Sequence, residues 1–423
     1  MRFTKKNKWN ASFFLVASCA FAHGNVDVNF SLDKEYFINT IGDSNTFSRC
    51  VASGDLDDDG DIDIVVSDRF SREIVLFLND GVGNLSYVSS VFIKEFKEVG
   101  GTRIILLEDV NGDGLIDLVT AGGGGSNVFL NLGHDENSWM SFGDPDLYFA
   151  GDNPHWIHTA DMNNDGYPDL LVSDFGEYLG PSFGEAGWYV FLNDGEGTFD
   201  GGTYFSLGID ARCISIVGQD FNNDALMDIA VIGHWNRVHL YTNLGNDPET
   251  DEWLGVTYES YIETQYSSAS IKSFDADNDG DSDLIVAHRT YNQTSLLIND
   301  GNGNFMYQSI FTVAGELAQP VDINNDGQID FALANKLSGV FQIMINEGDG
   351  GFVQSFTSPI HNYVDAKFLV CDYINNDSKL DIVLVNSYPG QDKGSIKVFF
   401  NESLCILGED VNGDGNVDVT DLL

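Results

Sequence analysis

Apolar residues in this chain come in short runs, each cut off by Gly, Asp or Asn. Ile62 to Val66, Leu118–Val119 and Leu284 to Val286 are examples. The runs are rich in Val, Ile, Leu and Phe and too short for helices, so they predict strands. They also come in sets. One run, such as Arg49 to Ser53 or Ile104 to Leu107, precedes an acidic loop, and a second follows it at once. A third ends in Asn at a turn: Phe77-Leu78-Asn79-Asp80-Gly81, Phe191-Leu192-Asn193-Asp194-Gly195, Leu297-Ile298-Asn299-Asp300-Gly301. Asn-Asp-Gly is a strong hairpin signal. A fourth run starts near Leu85, Phe199, Phe305 or Phe352. Four short strands per unit, joined by tight turns, describe one propeller blade.

The acidic loops carry the repeat. Asp-x-Asp/Asn-x-Asp-Gly-x-x-Asp recurs at intervals of roughly 50–60 residues. The copies are Asp55, Asp57, Asp59, Asp63; then Asp109, Asn111, Asp113, Asp117; then Asp161, Asn163, Asp165, Asp169. Next come Asp220, Asn222, Asp224, Asp228; Asp275, Asp277, Asp279, Asp283; and Asp322, Asn324, Asp326, Asp330. A seventh copy keeps Asn375, Asp377 and Asp381 but has Tyr373 in first place. The expected fold is all-β, a seven-bladed β-propeller of four-stranded blades. The last unit is a strand short after Phe399-Phe400-Asn401. The pattern from Val26 to Phe30, continuing through Tyr36 to Ile38, supplies the missing strand and is expected to close the ring.

Alternating oxygen ligands on a tight loop suit a hard cation. Calcium takes six to eight oxygens at about 2.3–2.6 Å. Positions 1, 3, 5 and 9 offer side-chain oxygens and position 7 a carbonyl, while Gly at position 6 allows the sharp turn. These positions hold no His or Cys, which disfavours zinc and copper. The expected cofactor is Ca2+. Empty Asx turns are the alternative, but they leave several carboxylates repelling one another in each loop. Copy four has Ala225 where Gly is expected, a departure costing about 1 kcal/mol in left-handed geometry.

These residues resemble the FG-GAP/VCBS repeat family, the calcium-loop propeller units also found in integrin α chains. The resemblance runs over roughly residues 47–403. It implies calcium loops between strands one and two on one face, and ligands on the opposite face. It implies adhesion or recognition, with lectin or polysaccharide-lyase activity in some members. A last motif differs: Asp410, Asn412, Asp414, Asp418 and Asp421 lead into Leu422-Leu423 instead of a β run. This EF-hand-type loop resembles the first calcium segment of a dockerin. The second segment of a dockerin does not follow it in this sequence, so cohesin binding is not expected of the chain as given.

Charge narrows the function classes. Lys and Arg number 20 against 66 Asp and Glu, a net charge of −46. Nucleic-acid binding needs cations against phosphate and is excluded. Docking on anionic lipid is disfavoured for the same reason. Lys5, Lys6 and Lys8 precede a short apolar stretch from Ala11 to Phe21, and Ala20-Phe21-Ala22 reads as a cleavage signal. Residues 1–22 are therefore expected to be a signal peptide, 23–404 the propeller, and 405–423 the dockerin-like segment. The protein is expected to be secreted and monomeric, without a transmembrane span. Val16-Ala17-Ser18-Cys19 also fits a lipobox, with surface anchoring through Cys19 as the alternative. Cys50, Cys213 and Cys371 lie in apolar runs and read as core thiols, although a Cys371–Cys405 bridge is conceivable.

On the geometry that the resemblance implies, most of the few cations gather on the face opposite the loops. Arg49, Arg103, Arg212, Lys272 and Lys367 lie shortly before the loops. Arg69, Arg72, Arg237, Arg289, Lys336 and Lys393 follow second strands. Phe70, His155, Trp156, Trp188, Trp235, Tyr291 and Tyr388 accompany them. Such a face would suit a polysaccharide, anionic above all, or an extracellular protein. Local Arg–Asp pairing and packing between blades explain the same residues without a ligand. A lyase would need a base, for which His155, His158, His234 and His288 are candidates. Strand alternation puts His155 and His158 on opposite faces. A scaffold or surface component of an extracellular complex is a third reading.

Overall fold

The computed structural model describes residues 30–402, apart from short stretches at 39–47, 69–71, 97–100, 136–137, 177–184, 210–211, 234–235, 265–266, 290–292, 311–314, 336–339, 349, 360–364 and 389–392. It contains seven four-stranded antiparallel sheets arranged as a ring of blades, the architecture expected from the sequence. The inner strands are Ser48–Gly54, Thr102–Glu108, Pro154–Ala160, Ser215–Gln219, Ser268–Phe274, Leu317–Val321 and Asp365–Asp372, in blades one to seven. No described helix is long and apolar enough to cross a membrane.

The second strand of each blade is covered on both faces by neighbouring blades. This is why its sequence reads as a continuous apolar run rather than an alternating one. Ile64, Leu170, Val231, Leu284, Phe331 and Val383 are all fully buried. The outermost strands meet water instead, as Val256–Glu263 does along nearly its whole length. The core is therefore a circle of layers between blades. Full burial of such a side chain contributes about 1.5–3 kcal/mol.

Ring closure follows the sequence expectation. Phe30–Ile38 pairs antiparallel with Lys393–Asn401, from Phe30 opposite Asn401 to Ile38 opposite Gly394. Phe30 anchors this seam edge-on against Phe341 and Phe356, at 5.9 and 5.5 Å. Residues 26–29 of the expected strand lie outside the described residues.

A repeated clasp joins the blades. Each third strand ends in a buried Asn whose Nδ2 donates to a loop carbonyl of the preceding blade. Asn131 donates to Leu56, Asn193 to Val110, Asn243 to Met162, Asn299 to Phe221, Asn346 to Ala276 and Asn401 to Ile323, at 2.7–3.4 Å. Asn79 completes the circle by donating to Ile374 at 2.7 Å. The last Asp of the same blade's motif accepts the Asn backbone N–H; Asp169 does so from Asn193 at 2.7 Å. Its second oxygen accepts the N–H of the loop's second residue, as Asp169 does from Met162 at 2.8 Å.

Asn193 also donates to Pro168 at 3.0 Å. Truncation to Ala strands two carbonyls, one of them deep between blades. Leaving a buried acceptor unsatisfied costs about 1–3 kcal/mol. Asn193→Ala should therefore lower stability by roughly 2–4 kcal/mol, read from the urea midpoint. A midpoint equal to the wild type would show that the clasp contributes nothing.

Candidate metal centres and the opposite face

All six complete loops lie at one end of the ring and are braced by their own first Asp. Asp55 accepts backbone N–H groups from Asp59 and Gly60 at 3.1 and 2.9 Å. Asp109 accepts from Gly112 and Gly114, and Asp322 from Asp326 and Gly327. Gly60, Gly114, Gly166, Gly280 and Gly327 at position 6 all have φ between 86° and 92°. Ala225 holds the same left-handed turn at φ 68°, so the departure noted in the sequence is a real strain of about 1 kcal/mol.

The loops fall into two kinds. Copies one and five have Asp at position 3. Carboxylate oxygens of Asp55, Asp57 and Asp63 lie within 4.8 Å of one another, as do those of Asp275, Asp277 and Asp283. Asp57 Oδ1, Asp275 Oδ1 and Asp277 Oδ1 are buried there without a hydrogen-bond partner. Burial and the neighbouring carboxylates push the Asp57 and Asp277 carboxyls up. Loops with Asn at position 3 partly satisfy themselves. Asn111, Asn163 and Asn324 donate Nδ2 to the position 5 Asp at 3.0, 2.8 and 2.9 Å. In copy four, Asn222 Oδ1 accepts the Asp224 N–H at 2.9 Å. A cation fits the oxygen-only donor sets of copies one and five, where one and two buried oxygens, respectively, have no hydrogen-bond partner.

Position 9 differs from a simple ligand. Asp63, Asp117, Asp169, Asp228, Asp283 and Asp330 each spend both oxygens on the backbone N–H groups of the clasp. In the seventh blade Asp381 keeps the Asn401 contact at 2.8 Å. Its Oδ2 is left without a partner, and Ile374 N–H donates to the Asp372 carbonyl instead. This blade thus retains most of the clasp without the first Asp. The segment holding Asp410, Asn412, Asp414, Asp418 and Asp421 lies outside the described residues, as do residues 1–22 with Cys19.

On the opposite face the inner strands share a device hidden from sequence. In blades one, two, three, five and seven a β-bulge interrupts the register at one equivalent residue: Arg49, Arg103, His155, Ala269 and Lys367. Bulges re-aim side chains near functional rims. The bulge corrects the alternation argument for blade three. His155 Nδ1 and His158 Nε2 both reach carbonyls of the blade-four inner region, Ile214 and Gly218, each at 3.1 Å. Burial and the nearby Lys272 push His158 down to about 4, which makes it a poor base at neutral pH. His288 is fully buried between Ser295 and Ser268.

The other candidates separate clearly. His155 stacks on Phe175 at 5.2 Å, and the Arg212 guanidinium lies 5.5 Å from the same ring. Phe175 was not singled out in the sequence, although it occupies the loop after a second strand, as Phe70 does. Arg289 pairs with Glu316 at 3.4 Å. Arg237 pairs with Glu263 at 3.1 Å and covers Tyr261 at 4.0 Å. Trp156 and Trp188 are 5% and 0% exposed and belong to the core rather than to a ligand surface. Lys272 stands three residues before its loop, where Trp156 stands five before its own, and its Nζ lies 5.6 Å from the Trp156 ring. Trp235, His234, Arg69, Phe70, Lys336 and Tyr291 lie outside the described residues, as do the side chains of Arg49, Lys367, Lys393 and Tyr388.

Residues 109–172 match the family model of the FG-GAP-like repeat. The match runs from the second acidic loop to the second strand of blade three, a loop–strand pattern that recurs around the ring. No curated protein sequence matches the chain. Among solved structures it is similar to BBS1N in complex with ARL6DN, at 12% identity and TM-score 0.55, over 86% of this chain and 96% of that one. It is similar to a Lactobacillus plantarum protein at 14% identity and TM-score 0.52, over 74% and 86%. An Agrocybe aegerita lectin, described as recognising non-reducing terminal N-acetylglucosamine, gives 17% identity and TM-score 0.49, over 74% and 81%. At these identities the likeness is one of fold.

The buried clasp aspartates generate a pH prediction for metal-free protein. Burial pushes Asp63, Asp169, Asp283, Asp330 and Asp381 up to about 7, and Asp117 and Asp228 to about 6, against the partial relief of backbone N–H donors. The folded state then holds protons that the unfolded chain has released. Stability with chelator present should fall as pH rises from about 4 to about 7, measured by urea midpoints across the range. A profile that rises through this window would contradict the burial of these groups.

Proposed function

We propose that the protein is a calcium-loaded β-propeller that recognises an extracellular ligand, with an anionic polysaccharide as the ligand class the charges favour. The orphaned oxygens of Asp57, Asp275 and Asp277, gathered among like charges, carry the calcium reading. Calcium would be held by positions 1, 3 and 5 of the complete loops together with the position 9 carboxylate, which the clasp fixes in place. Its part is structural: it neutralises carboxylates that otherwise repel one another. Copies one and five bind most tightly on this reading, and copy four more weakly because of Ala225. The seventh loop is a clasp without a complete ligand set.

Recognition is supported by the segregation of charge. Arg103, His155 and Arg212 stand at the end of the ring away from the acidic loops, with Arg212 and His155 ordered around the Phe175 ring. An aromatic ring flanked by a guanidinium offers stacking and an anion contact together. The leader pattern supports secretion or surface anchoring. An extracellular protein partner is the competing outcome of the binding test.

Two measurements check this reading. Each loop filled at 100 times its dissociation constant adds about 2.7 kcal/mol. Chelation should therefore lower the melting temperature strongly, and Asp57→Asn or Asp277→Asn should remove the largest single shares of the calcium response. A melting temperature indifferent to chelator would overturn the calcium reading. Native gels cast with anionic polysaccharide should retard the calcium-loaded protein, and Arg212→Ala should weaken the retardation at unchanged melting temperature. Equal mobility in anionic, neutral and polysaccharide-free gels would move the proposal to a protein partner.

A further inference from the structure

The seven inner strands surround an axis that is closed part-way along. Four residues before each loop stands a buried apolar side chain: Val51, Ile105, Ile157, Ile216, Ile271, Ala318 and Leu369. One residue deeper, Trp156 of blade three stacks on Phe368 of blade seven, at 6.1 Å and 27°. These blades are not neighbours, so the two rings meet across the axis and form a floor. Towards the acidic loops the inner strands are half-buried in most blades, with Leu106, His158, Thr159, Ser273, Gln319 and Val370 partly reachable. The axis is thus a blind funnel that opens on the loop face.

Lys272 of blade five reaches into this funnel. Its Nζ lies 5.6 Å from the Trp156 ring, directly above the floor. It also sits close enough to His158 of blade three and Cys50 of blade one to interact with both electrostatically. His158 gives no counter-charge, because its Nε2–H donates to the Gly218 carbonyl and the ring stays neutral. Among the described residues no carboxylate forms an ion pair with Lys272. In a chain with 66 acidic residues and 20 Lys and Arg, this is a strong departure from local pairing. A desolvated cation without a counter-ion is costly, and burial pushes the Lys272 ammonium down accordingly.

We propose that the axial funnel is a binding site for a small organic monocarboxylate, with Lys272 as the residue that pairs its charge. One cation at the bottom of an acidic protein matches one negative charge. A dianion such as phosphate would bring a second, uncompensated charge near the carboxylates that end two inner strands on the loop side, Glu108 and Asp372. The apolar floor of Trp156 and Phe368 receives the carbon body of the ligand. The funnel lies on the other side of the floor from Arg103, His155 and Arg212. The site therefore stands or falls separately from polysaccharide recognition on that face.

The test is calorimetric titration of the calcium-loaded protein with sodium glucuronate, glucose and sodium phosphate. Glucuronate should bind at one site per chain, whereas glucose and phosphate should not. Lys272→Met, which keeps the unbranched stem but removes the charge, should lose at least about tenfold in glucuronate affinity and melt no lower than wild type. Unchanged affinity in this variant, or equal binding of glucose or phosphate, overturns the proposal. Acetic anhydride labelling read by mass spectrometry keeps the test decisive if the variant does not fold. Glucuronate should slow acetylation of Lys272 in the wild-type protein. Equal labelling with and without it overturns the assignment.

Discussion

Everything in this ring hangs on one buried hydrogen-bond knot per blade. The last Asp of each motif grips the Asn at the end of the third strand, and that Asn grips the loop of the blade before it. Strand, acidic loop and neighbouring blade are thereby fixed by two side chains. Both side chains are polar and buried, so neither tolerates loss of its partners. Six loops are held from beneath by this knot and from above by their first Asp, and in copies one and five this frame gathers three carboxylates within 4.8 Å of one another. The electrostatic strain of the acidic cluster is thus imposed by the scaffold. On the proposed reading, a cation would relieve that strain.

The seventh blade separates the two roles within one molecule. With Tyr373 in first place it has lost the upper brace, yet Asp381 still meets Asn401 and the blade still packs. The clasp belongs to the fold; the upper carboxylates are an addition to it. The same separation explains why position 3 varies between Asp and Asn while position 9 does not. Asn at position 3 supplies a donor to its neighbour, whereas Asn at position 9 would present an N–H to another N–H.

Much of the architecture was readable from residue spacing. The Asp motif set the blade count, the apolar runs set the strands, and the incomplete last unit pointed to closure by Phe30–Ile38. The Asn at each third-strand end was visible as half of a hairpin turn, but its inter-blade role was not. That role depends on a carbonyl some 70–83 residues earlier in the adjoining blade. The bulge at His155 was equally hidden, because one extra residue reverses the face of all that precedes it. The sequence around Trp156 leaves a ligand surface and packing between blades both open. Only the meeting of three distant blades on the axis makes it a floor. Phe175, by contrast, was within reach of the sequence, since its place after a second strand parallels that of Phe70.

The seam has a consequence in time. Phe30–Ile38 is made early during synthesis, and its partner Lys393–Asn401 comes nearly a whole chain later. Through that interval the leading strand has no mate. When the last blade emerges it is a three-stranded sheet with one bare edge. Closing a loop of this length is slow compared with hairpin formation inside a blade. Two nascent chains that meet in this window hold the same unpaired strand and the same bare edge. Exchange of leading strands between them satisfies every backbone group that closure within one chain would satisfy, so crowding during production selects between a closed ring and an interlocked pair.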